Sequence, residues 1–158
     1  MNSEVQSEQS PQYWVKPEQF QRMRMAVYDA SPSYLQARDR LLCRAFYHWG
    51  LRNQEGCNLN VGMLDLDDNA LRLPIWAQKD YPTDRSPPPA TINLEPDGVA
   101  EVRDYVRDRW KETVALFPTR SSERMTTRSA ENIIKKLAVE ADISPYYVGG
   151  RGDPEDVT

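Results

Sequence analysis

The feature that most constrains this chain is a change of apolar period across residues 45 to 66, AFYHWGLRNQEGCNLNVGMLDL. Upstream, Leu35, Leu42, Phe46 and Trp49 recur at spacings of seven, four and three, the pattern of one helix face. Gly50 then fits the left-handed residue that stops a helix. Downstream, Leu64, Leu66, Leu71, Leu73 and Ile75 are spaced for strands, with the turn sequence Asp67-Asp68-Asn69 between them, so a β-hairpin is expected near 63–76. A chain that switches period in this way packs helices against a small sheet, the α+β class.

Arg52 and Glu55 sit at the switch itself, flanked by Leu51, Leu59, Val61 and Leu64. A charge in such apolar surroundings needs a charged partner. A guanidinium fork just past a helix end, backed by a carboxylate, suits a phosphate. The same two residues can also form a plain buried ion pair, which is the commoner outcome, and spacing alone leaves both readings open.

Along the rest of the chain, residues 1–12 are polar and aperiodic, the signature of a disordered tail, and 13–158 read as one domain. Lys16-Pro17-Glu18 opens a helix with Phe20, Met23 and Val27 on one side, ending near Asp29, and Ser33 is the N-cap candidate for the next helix. A short helix is expected over Asn53 to Asn58. Gln78 to Pro89 is a long loop carrying Lys79, Arg85 and three consecutive prolines, after which Thr91 to Leu94 returns as a third strand. Pro96-Asp97 starts a helix with Val99, Val102, Val106 and Trp110 inside, closed by Phe117-Pro118. Arg103, Arg107 and Lys111 lie along one side beside Asp104 and Asp108, which predicts a solvated surface. Thr126 or Thr127 caps a last helix with Ala130, Ile133, Ile134, Leu137, Ala138 and Ala141 inward. The tail YYVGGRGDPEDVT is turn-rich, and no later element is expected. The fold is thus mainly helical with a small three-stranded antiparallel sheet.

With 158 residues and 39% apolar content, one domain can bury roughly two-thirds of its unfolded surface. No apolar run approaches the roughly 18 residues of a spanning helix, and no signal-peptide pattern opens the chain, so a cytoplasmic protein without a membrane segment is expected. Cys43 and Cys57 are read as core thiols, and with His48 they match no zinc spacing, so no metal is expected. Gly149 to Asp153 reads as a loop, since no strand leads into it. The net charge of −4 does not advertise a nucleic-acid partner, yet fifteen of the twenty cations are arginine, the cation suited to phosphate. The Lys-poor, Asp-rich balance also suits a protein working at high salt.

Gly50-Leu51-Arg52-Asn53-Gln54-Glu55, followed by Leu59, Val61, Leu64 and Asp65, resembles the first-arginine box of the tyrosine recombinases, the phage-integrase family. The order of elements continues to match through the hairpin, Lys79, Leu94, a helix, Leu116-Phe117-Pro118 and a helix from Met125-Thr126 to Ala141. Residues 125–158 are similar to integrases of halophilic archaea. The resemblance covers roughly 14–158 and implies that Arg52 is the first of two arginines on the scissile phosphate. Lys79 matches the hairpin lysine that helps protonate the leaving 5′-oxygen, and Glu55 supports the site. With Arg85 from the same loop as Lys79, these cations are expected to meet double-stranded DNA. In the family a tyrosine attacks the phosphate to form a 3′-phosphotyrosine link, so no metal or nucleotide cofactor is implied.

Departures from the family pattern bound that reading. The box with the histidine and second arginine should begin immediately after Thr158, and Tyr146 and Tyr147 precede the place of the nucleophile. Gly56 stands where an apolar residue is usual, Met63 where Asp is common, and the loop after Lys79 is rich in proline. The expectation is therefore the N-terminal half of a recombinase catalytic domain, truncated, unable to cleave DNA alone and binding it weakly. The alternative is a non-catalytic module that binds DNA or an intact recombinase. A partly uncovered apolar face over 130–141, open to self-association, is also expected.

Overall fold

Helix α1 (Pro17–Ala30) begins at a proline, whose missing N–H is no loss in a first turn. The Lys16 N–H donates to Gln19 Oε1 at 2.9 Å, and Phe20, Met23, Ala26 and Val27 form the buried stripe. The computed structural model describes residues 12–78, 89–143 and 146–148. Lys79, Arg85 and residues 149–158 lie outside the described residues.

Ser33 does not cap the second helix. It opens a 3₁₀ turn, Ser33–Leu35, and helix α2 (Gln36–Tyr47) follows with Leu35 at its N-cap. The turn supplies an acceptor for the Leu35 amide, which bonds Pro32 O at 2.9 Å, so no side-chain cap is needed there. Helix α2 buries Leu41, Leu42, Cys43, Ala45 and Phe46 because α1 packs on it and later elements cover its other sides. Asp39 is fully buried, and it is balanced by Arg38 at 2.8 Å and the Ser31 hydroxyl at 2.8 Å. The helix stops at Gly50, whose φ of 70° is the left-handed conformation expected of it. The short helix α3 (Asn53–Cys57) follows at once.

The three-stranded sheet is antiparallel, in the order β2 (Leu64–Asp65), β3 (Ala70–Leu73), β4 (Ala90–Asn93). Leu64 faces Leu71, and Leu71 faces Ile92. The hairpin is narrower than the alternation suggested. Leu66 lies in a 3₁₀ turn, Leu66–Asp68, closed by Asn69 at φ 53°, and Ile75 lies in another after Pro74. Apolar spacing cannot separate a strand from a 3₁₀ turn whose side chains also point inward.

Helix α4 (Pro96–Asp108) buries Val99, Val102 and Tyr105 and packs on α2. It stops well before Phe117-Pro118. Trp110 lies beyond it, edge-on to Tyr34 with centroids 5.4 Å apart. The Arg109 guanidinium holds the extended stretch that follows, bonding Thr113 O at 2.6 Å and Ala115 O at 2.9 Å. That stretch pairs with residues 59–61 through Val61 N to Val114 O and Leu116 N to Leu59 O, each 2.9 Å.

Helix α5 (Thr127–Ala141) is capped by Thr126, whose hydroxyl accepts from Ser129 N at 3.1 Å. Arg22 of α1 reaches its far end, donating to Ala141 O at 2.5 Å. The face of 130–141 expected to be partly uncovered is covered over most of its area, with Ile133 and Ala141 half-buried. Helices α1 and α3 pack on it, and Ala130, Ile134 and Leu137 are completely buried. The exposed apolar residue of this helix is Val139, at 80%. A final element that the sequence reading omitted is strand β5 (Tyr146–Val148), antiparallel to β1 (Gln12–Trp14) with Tyr13 opposite Tyr147. Both segments are aromatic-rich, the composition that favours strands once a partner is present.

Candidate functional site

Arg52 occupies the N-cap of α3 in an extended conformation, φ −77° and ψ 161°. Its own N–H donates to Glu55 Oε1 at 3.0 Å, and its carbonyl accepts from Gly56 N at 2.9 Å. Glu55 thus supports the arginine by pinning its main chain, the N3 half of a capping box. Arg52 as a residue is half-buried, and its chain neighbours Leu51 and Asn53 are 2% and 1% exposed. Among the described residues its guanidinium has no hydrogen bond or ion pair. The plain Arg52–Glu55 ion pair is therefore not what the spacing produced.

Several other arginines find acceptors, while Arg103, Arg120 and Arg128, which have none among the described residues, are exposed. Arg24 and Arg44 grip Glu101 at 2.9 and 2.7 Å, and burial, which alone would raise the Glu101 carboxyl, is outweighed by their hydrogen bonds and charges, which hold it below its ordinary value. Arg38 has Asp39, Arg72 has Asp65 and Asp68 at 3.0 Å each, and Arg107 has Asp104 and Asp108 on the exposed face predicted for it. Lys111 falls beyond that helix and donates to Thr119 O and Ser122 O at 3.1 Å.

Helix α3 is fixed from several directions. Asn53 Nδ2 donates to Glu131 Oε2 of α5 at 3.1 Å, and Asn58 Nδ2 donates to Ala77 O at 3.3 Å. Gly56 lies so close to α2 that a Cβ placed there would meet Phe46 Cε1 at 2.7 Å. The glycine that departs from the family pattern is thus explained by a phenylalanine that fills the same space from the other helix. Ala77, tied to Asn58, and Gln78, buried and donating to Leu73 O at 3.4 Å, lead to Lys79. The structure brings Arg52 and Glu55 together; Lys79 and Arg85 lie outside the described residues.

The remaining candidates are structural. Cys43 and Cys57 are buried free thiols; burial pushes Cys43 far up and Cys57 up to about 12, so neither is a ready nucleophile. The His48 ring stacks on Phe20 with centroids 4.4 Å apart, and Arg44 Nη1 donates to its Nδ1 at 2.9 Å. Burial, reinforced by the Arg44 charge, holds it below its ordinary 6.5. Among the described residues no group of three or more His, Cys, Asp or Glu is placed to hold a metal ion, and no helix is long and apolar enough to cross a membrane.

The fold resembles the crystal structure of XerA recombinase with a TM-score of 0.63 and 18% identity, over 89% of this chain and 46% of that one. The chain thus spans less than half the length of that recombinase. A search of curated proteins finds no match. The model of the phage integrase family matches residues 14–150. With most of its length inside that match, the chain belongs to the phage integrase family, the tyrosine recombinases.

Proposed function

We propose that this chain contributes to DNA integration by site-specific recombination and that Arg52 is its contact to the scissile phosphate. The observation that carries the reading is that Arg52, a half-buried residue whose backbone is held by Glu55, has a guanidinium with no hydrogen-bond or ion-pair partner among the described residues. A guanidinium left this way is preorganised for an anion, and its planar fork matches two phosphate oxygens. As charge builds on those oxygens in phosphoryl transfer, the fork stabilises it without reorganising. Lys79, following the anchored Ala77-Gln78 pair, is the proton donor to the leaving 5′-oxygen, and Arg85 adds a backbone contact.

A tyrosine supplies the attacking oxygen in this chemistry, and no tyrosine of the present chain is assigned that role. Residues 1–158 by themselves are proposed to bind duplex DNA weakly and to leave it uncut. Fluorescence anisotropy with a short duplex at low salt tests this. Arg52→Ala and Lys79→Ala should each weaken binding and lower the salt slope by about 0.9, the share of one phosphate contact. Binding that is insensitive to both substitutions and to salt would rule the reading out.

A further inference from the structure

Helix α3 has five residues, far fewer than the roughly 12–15 that an isolated helix needs to hold together in water. The orientation of Arg52 at its N-cap must therefore come from tertiary contacts, and the contact at its other end is made by Arg124. Arg124 Nη1 donates to Cys57 O at 3.0 Å and to Leu59 O at 3.2 Å, and its Nη2 donates to Asn60 Oδ1 at 2.5 Å. One guanidinium thus closes the last helical carbonyl, the carbonyl two residues on, and the side chain at the start of the next turn. The cation also lies at the negative end of the short helix, where its charge is favourable.

Arg124 is itself on a firm base. Its neighbour Met125 is 2% exposed and bonds Phe117 O at 2.9 Å, and Thr126 caps α5. Leu59 O is shared between Arg124 and the Leu116 amide, so the clasp joins α3 to the strand-like stretch 114–117. Asn58, inside the clasp, holds Ala77 O two residues before Lys79.

We propose that Arg124 is a positioning residue for the phosphate site: its three-acceptor clasp fixes the C-terminal end of α3 and so sets the place of Arg52. The inference rests on the phosphate-binding reading of Arg52. It predicts that Arg124 acts on DNA through Arg52, with no phosphate contact of its own.

The test is a double-mutant cycle on the full 158-residue chain, with duplex binding read by anisotropy and α3 read by amide hydrogen exchange at Gly56 and Asn58. Arg124→Ala should weaken binding about threefold to tenfold when Arg52 is present and by less than about twofold in the Arg52→Ala chain, the pattern of coupled neighbours. Exchange at Gly56 and Asn58 should rise more than at Leu41 in the core. Arg124→Lys keeps the charge but cannot span three acceptors, so it should show the same binding loss with a melting temperature nearer to wild type; it also serves if the alanine variant does not fold.

Equal losses in both backgrounds would make Arg124 a direct DNA contact and overturn the proposal. Full rescue by lysine would do the same, since charge alone would then suffice. If Arg52→Ala leaves binding unchanged, the phosphate reading of Arg52 fails instead. The exchange at Gly56 and Asn58 still decides the matter for Arg124, because unchanged exchange there in both variants means that the clasp does not hold α3.

Discussion

Replacing Gly56 by alanine tests the close packing of α3 on α2 beneath Arg52. The added Cβ would lie 2.7 Å from Phe46 Cε1 and 3.4 Å from Cζ. Ordinary carbon contacts lie at about 3.5–4.0 Å, so the two helices must part, or the ring must move, by roughly 1 Å. Phe46 is completely buried, with no free end to swing away. Forced overpacking of this kind costs about 1–3 kcal/mol. Alanine gives back about 1 kcal/mol of helix propensity relative to glycine. The net expectation is a loss of about 1 kcal/mol, read by urea unfolding at unchanged slope. In a Phe46→Leu background the clash is relieved, and the same Gly56→Ala change should stabilise by up to about 1 kcal/mol. A stabilising effect in the wild-type background, or the same effect in both, would refute the packing argument. Since Gly56 N bonds Arg52 O, the strained variant should also bind DNA more weakly.

Three further outcomes follow from the charge arrangement. Glu101→Ala leaves Arg24 and Arg44 facing each other without their shared carboxylate and should cost about 3 kcal/mol in urea unfolding, the scale for breaking a buried pair. His48, held below 6.5 by burial and by Arg44, favours the neutral folded form, so the unfolded chain binds the proton more readily. Its contribution is intact above pH 6.5 and declines as pH falls through the folded value, and His48→Gln should flatten the dependence of melting temperature on pH over that window. Cys43 and Cys57, buried and with raised thiols, should react with a thiol reagent only at the rate of unfolding, which a stopped-flow trace in denaturant would show.

The parts of the fold legible in the sequence are those written by neighbours along the chain. Pro17 and Pro96 at first turns, Gly50 at a stop, Thr126 at a cap and the 130–138 stripe are local signals, and each appears where it was expected. The errors fall where a distant partner decides. Helix α4 ends early because Arg109 and Tyr105 bind carbonyls of the following stretch, Tyr105 through its hydroxyl to Leu116 O at 2.8 Å. The β1–β5 pair joins segments more than 130 positions apart, and no periodicity within three residues announces it. The cover over most of the α5 face carries no local signal for the same reason, since α1, which supplies much of it, precedes it by about a hundred residues. At the site, Arg52 and Glu55 share a short motif and were visible. Arg124 reaches acceptors 64 to 67 positions away and carries no spacing signal.

The formal charge of −4 is also less opposed to a DNA partner than it looks. Much of the acidity is engaged locally: Asp39 by Arg38, Glu101 by Arg24 and Arg44, Asp65 and Asp68 by Arg72, Asp104 and Asp108 by Arg107. Charges farther apart than a Debye length of about 8 Å at physiological salt are largely screened, so a phosphate at Arg52 responds to the groups around it more than to the chain total. Near Arg52, the Glu55 carboxylate is turned to a backbone amide and Glu131 accepts from Asn53. Each of these two carboxylates thus has a polar partner within the fold, which on the proposed reading lessens its opposition to a phosphate at Arg52. On this account Glu55→Gln, which keeps an acceptor for the Arg52 amide while removing the negative charge, should preserve α3 and bind DNA at least as tightly as wild type. Glu55→Ala, which removes the acceptor, should loosen α3, raise exchange at Gly56 and weaken binding. Weakened binding by both variants would show instead that the carboxylate charge itself orients the guanidinium.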